Sequence, residues 1–243
     1  MNPKIIRMIA IGSFALVAVL GIVLSGAWSA QAQDSKAPYP RMAPISQYMM
    51  ADRNAEVALA RSAAPESISR DAEVLVLGRH GYETAVKGTN GFVCIVERGW
   101  TAPTDDPNFW NPKLRGPLCL NPAAARTYLP ITIKKTDLIL AGESKSQMAD
   151  NIKAAFDTNK LPKLEPGAMC YMLSKQQYLN DGAVHDWHPH LMFFSPGTDP
   201  LAMGENAKGS PVLTSQDPLD RLTVLMVLVP KWSDGTADSV GPR

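Results

Sequence analysis

Residues 45–232 predict an α+β domain: a largely antiparallel sheet with one or two packed helices. Three observations predict it. Short strand-like runs of aliphatic, aromatic and Met residues fall early, at 72–77, 82–86 and 92–97, and late, at 168–173, 190–195 and 222–229. One well-delimited amphipathic helix lies between the two groups, at 144–159. The spacing lacks the regular strand–helix alternation of a doubly wound fold.

The elements follow in chain order. Lys4 and Arg7 form a basic start, and no charged residue occurs from Met8 to Gln33. Ile9 to Leu24 is strongly apolar, and Ala30-Gln31-Ala32 is a signal-peptidase pattern. Residues 1–32 read as a secretory signal peptide cleaved after Ala32, which places the protein in the periplasm or outside the cell. An uncleaved anchor is the alternative, since about 20 apolar residues span a bilayer. No cysteine precedes Cys94, which excludes a lipidated N-terminal cysteine. Residues 33–44 carry three prolines and read as a linker. Residues 45–63 are rich in Ala, Met and Leu and read as a helix ending before Pro65.

The runs 72–77, 82–86 and 92–97 predict a β-meander. Gly78-Arg79-His80-Gly81 makes its first turn, and Asn90-Gly91 supplies the positive φ of its second. Residues 98–130 hold six prolines with Trp100 and Trp110 and show no period. They predict a long loop, which in a compact domain is tied down or functional. In 144–159, Ser144 and Gln147 form a capping box. Met148, Ile152, Ala155 and Phe156 share one face. The last run, 222–229, is apolar at every second position on both faces and predicts a central buried strand. Residues 233–243 read as a loose polar tail.

Charge narrows the partners. Removing residues 1–32 takes away Lys4 and Arg7 and no acid, so the formal net charge goes from +1 to −1. Such a chain has no electrostatic attraction for nucleic acid, and it meets a membrane only through an uncleaved N-terminal segment. An exported chain can hold disulfides. Cys94 and Cys119 are the preferred pair, worth about 3–4 kcal/mol on a chain-entropy model. Cys170 is then left in an apolar stretch.

The chain lacks GxSxG, GxGxxG, Walker A, HExxH, SxxK, CxxC and CxxCH. Its sharpest feature is His185-Asp186-Trp187-His188-Pro189-His190, which holds three of four histidines. On a strand, His188 and His190 point the same way. With His185 they could converge on zinc or copper. They could equally be acid–base groups, or histidines that satisfy backbone groups at a strand entrance. Cys170 beside His188 or His190 would make a thiolate–imidazole pair. Glu97, at the end of the third run, is the remaining catalytic candidate. Trp100, Trp110 and Trp187 are the candidate ligand-binding aromatics.

The stretches GYETAVKGTNGFVCIVERGW and HPHLMFF, with the A-x-A leader, resemble a family of exported bacterial proteins of uncharacterised activity. The resemblance covers most of the chain after the leader. It implies export and brings no cofactor, partner or catalytic residue. The expectation is an exported domain that binds a small ligand or partner in a pocket between the 98–130 segment and the histidine strand. A metal-binding protein or metal-dependent enzyme using His185, His188 and His190 is the alternative. Whether it is an enzyme stays open.

Overall fold

The computed structural model describes residues 38–182, 187–205 and 207–239. The expected signal peptide and the first residues of the linker lie outside them. Where the sequence predicts one helix over 45–63, a 3-10 turn at Ile45–Gln47 is followed by helix α1 at Arg53–Arg61. The helix begins late because Asp52 caps it, its carboxylate accepting from the Asn54 N–H. A one-turn helix α2 follows at Glu66–Ser69.

The strands are β1 (Glu73–Gly78), β2 (Gly81–Val86), β3 (Val93–Glu97), β4 (Gly116–Leu120), β5 (Met169–Met172), β6 (His190–Ser195), β7 (Val212–Asp217) and β8 (Leu222–Leu228). They form one sheet in the order β2-β1-β3-β4-β5-β6-β8-β7. The β1–β3 pair is parallel and every other pair is antiparallel. With the helices, this is an α+β fold with a mostly antiparallel sheet, as the sequence predicts.

Several expectations are corrected. The first three strands are not a meander. β1 and β2 do form a hairpin across Arg79-His80, but β3 crosses back and pairs in parallel with β1. Asn90-Gly91 serves that crossover instead: Asn90 Nδ2 donates to the Ile68 carbonyl, and its Oδ1 accepts from Phe92 N–H. The 98–130 segment is not one loop. It contains β4 and helix α3 (Pro122–Thr127), capped by Asn121. Helix α4 (Leu129–Leu140) follows directly and then α5 (Lys145–Asp157), so five helices accompany the sheet among the described residues. β8 lies next to the edge strand β7, and its last residues are only half-buried. The tail from Ser233 folds back through Ser239. Asp238 N–H donates to the Pro230 carbonyl, and Ser233 N–H to that of Leu173.

The α5 expectation is met. Ser144 and Gln147 make the capping box, and Met148, Ile152 and Ala155 are buried. Cys94 and Cys119 are bridged. They are direct cross-strand partners of β3 and β4, so the bridge pins a register. Among the described residues no helix is long and apolar enough to cross a membrane.

Each sheet face has its own core. On one, Val74, Val76, Cys94, Val96 and Cys119 pack with Leu59, Ala60, Ala63 and Ala64 of the α1 region. The alanines let the helix lie close. On the other, Leu75, Ile95, Leu118, Leu120, Cys170, Met172 and Phe194 pack beneath Ala124, Tyr128 and Leu129. The β7–β8 turn meets the helices. Lys135 of α4 meets Asp217 and Asp220, and Arg221 meets Asp157 of α5 and lies over the Phe156 ring.

Candidate functional site

Residues of strands β3 to β8 line a cavity of about 250 Å³ on the sheet face that packs beneath Tyr128. Its floor is Leu118, Met172, Met192, Phe194, Val224 and Met226, every second residue of β4, β5, β6 and β8. Tyr128 covers the middle, stacked on Phe194 at 4.0 Å between centroids. Residues 101–103, with Asp106 and Leu114, form one wall, and Leu179 and Trp187 another. Gly116 leaves part of the floor open. A Cβ there would come no closer than 3.5 Å to Leu179, 3.6 Å to Met172 and 3.7 Å to Glu97.

Polar groups converge on this apolar lining. Glu97, at the end of β3, is half-buried, and its Oε1 accepts from the hydroxyls of Thr132 (3.0 Å) and Tyr128 (3.3 Å). Burial pushes its carboxyl up to about 7, against those hydrogen bonds and Lys135, which pull it down. Asp220 is buried and its Oδ2 receives Lys135 Nζ at 2.7 Å. Burial raises its carboxyl to about 6 despite Lys135. Asp217 is 3.6 Å from the same ammonium.

The described sequence candidates fall in this cavity, against the tail or in the core. His190 lines it and is 2 % exposed. Its Nδ1 lies 2.8 Å from the His188 carbonyl, and burial holds the ring below its ordinary pKa. Trp187 also lines it, 6.0 Å from the His190 ring. Glu97 lines it too. His188 turns to the tail instead, its Nδ1 2.5 Å from Asp238 Oδ2.

Cys170 is fully buried, and desolvation with the nearby Glu97 pushes its thiol well up. A thiol nucleophile needs the opposite environment. Trp100 is fully buried and donates to Thr136 Oγ1 at 3.0 Å. Trp110 is buried edge-on against Phe109. Neither tryptophan lines the cavity. His185 and Asp186 lie outside the described residues. Among the described residues no three His, Cys, Asp or Glu side chains form a group that could hold a metal ion.

Sequence reasoning missed Tyr128, Lys135, Asp217 and Asp220. Asp217-Pro218-Leu219-Asp220 reads as an ordinary turn, and its Asp217 Oδ1 does accept from the Leu219 and Asp220 N–H groups. The available signal is Lys135 within the apolar, β-branched run 129–140. No family model, curated protein or solved structure matches the chain, so any functional reading starts from this cavity's own chemistry.

Proposed function

We propose that this is an exported protein whose cavity beneath Tyr128 binds a small, largely apolar molecule. Export is supported by the basic start, the apolar run and the A-x-A pattern of residues 1–32, together with a disulfide that fits an oxidising compartment. Binding is carried by one observation. An apolar cavity is lined by His190, whose buried Nε2 has no partner among the described residues. Buried polar atoms are nearly always hydrogen-bonded, and ligand sites combine apolar walls with a few convergent polar groups. A volume just under the usual range of about 300–1,000 Å³ fits a small ligand.

The test is uptake of a neutral apolar fluorophore, N-phenyl-1-naphthylamine, by the purified protein. Binding should be saturable, and Gly116→Leu should abolish it, because the added side chain enters the cavity. The unfolding midpoint of that variant should stay near the parent's, since its Cβ makes ordinary contacts. Equal uptake by a folded Gly116→Leu protein would place the site elsewhere.

A further inference from the structure

The ionisable side chains at one end of the cavity are mostly acidic, and the Thr101 and Tyr128 hydroxyls there are already spent on the Arg98 carbonyl and Glu97. A carbonyl can only accept, so the proton of His190 sits on Nδ1, facing the His188 oxygen. Nε2 then presents a lone pair, buried and without a partner among the described residues. Asp220 spends Oδ2 on Lys135, and its Oδ1 is likewise buried and unpartnered. Glu97, Asp106 and Asp217 complete an acidic lining.

The cations that could answer this charge are already committed. Arg98 donates to the Tyr48 and Val96 carbonyls and to Glu56. Lys135 is held by Asp217, Asp220 and the Thr101 carbonyl. An incoming carboxylate or phosphate would find the Ser215 hydroxyl and Trp187 N–H but face the carboxyl groups of Glu97, Asp106, Asp217 and Asp220, whereas an ammonium group would meet acceptors that lack donors.

We propose that the ligand is an apolar primary amine, its ammonium head donating to the acidic end formed by Glu97, Asp217 and Asp220 and its apolar body lying on the methionine and phenylalanine floor. This rests on the cavity being a binding site. It adds the charge and polarity of the occupant. It also adds a pH dependence. Glu97 faces Lys135, Tyr128, Thr132 and Thr101 from the helices and loop, and Tyr82 and Cys170 from the sheet. Asp220 faces Lys135, Asp217 and Tyr128. Glu97 and Asp220 change charge between pH 5.5 and 8, so an ammonium gains attraction as pH rises through that window and a neutral head does not.

The experiment is calorimetric titration of the purified protein with 1-hexylamine, 1-hexanol and hexanoate, three heads on one apolar chain, at pH 5.5 and 8. N-phenyl-1-naphthylamine uptake is measured beside each. Hexylamine should bind tightest at pH 8 and weaken about tenfold at pH 5.5, with hexanol unchanged. Glu97→Gln keeps an oxygen for Thr132 and Tyr128 and removes the charge. It should cost the amine about tenfold at pH 8 and the alcohol almost nothing. Asp220→Asn, as a second variant, should act in the same direction. Hexanoate or hexanol binding as tightly as the amine, with the fluorophore still taken up, overturns the amine proposal and leaves the binding site. Failure of the fluorophore and all three hexyl compounds overturns both.

Discussion

Arg98 and Glu56 show how costly a single charge is inside this fold. Both are buried and joined at 2.8 Å, and the Glu56 carboxylate also accepts from the Leu77 N–H. Removing one partner strands the other. Arg98→Met should lower stability by about 3–5 kcal/mol, read by urea unfolding at neutral pH. Glu97, the adjacent residue, behaves differently. Its carboxyl ordinarily titrates near 4.5 and in the fold near 7. The folded state therefore keeps the proton longer than the unfolded chain. Its contribution to stability is greatest below 4.5 and is lost as pH rises through about 7, on the order of 3 kcal/mol in all. Glu97→Gln should flatten that part of the stability–pH curve and leave the variant more stable than the parent at pH 8, measured by denaturant unfolding across the range. His190 and Glu97 were legible as candidates because each sits beside a strand run with a clear face. Lys135 and Asp220 were not, because their meaning depends on a contact between residues 85 apart in sequence.

At the scale of elements, legibility followed local periodicity. Six strand runs and the capped helix α5 carry patterns that a short window contains. β4 does not, since Pro117 lies within it and all five of its residues are buried. β7 does not either, because as an edge strand it exposes Leu213, Ser215 and Gln216. Helix α4 is built from Ile131, Thr132, Ile133, Thr136 and Ile139, poor helix formers whose burial against the sheet and α5 overrides propensity. The crossover from β2 to β3 was misread for another reason: Asn-Gly permits a hairpin and does not choose the partner strand. The disulfide was the preferred pairing because its cysteines flank a proline-rich segment, and its structural role is larger than closing a loop. A Cys94→Ala/Cys119→Ala protein should lose about 3–4 kcal/mol by chemical denaturation, and its β3–β4 amides should lose hydrogen-exchange protection first.

At the scale of the whole molecule, the β7–β8 turn holds the far end of the sheet to helix α4, and Lys135 is the centre of that contact. Lys135→Met would leave Asp217 and Asp220 buried without their cation. The expected result is a local opening, with hydrogen exchange accelerating in β7 and β8 while β1, β3 and β4, held by α1 and the disulfide, stay protected. The cavity lies between those two regions, so the same variant should take up the neutral fluorophore less tightly.

The Cys94–Cys119 bridge has one more consequence. Both residues are fully buried, under α1 on the sheet face opposite the cavity. Reagents in the surroundings reach the sulfurs only when that packing opens, so exchange of the bond is gated by local release of α1 from the sheet. A molecule that stays closed keeps the redox state in which it folded, and one that opens there comes to match its surroundings.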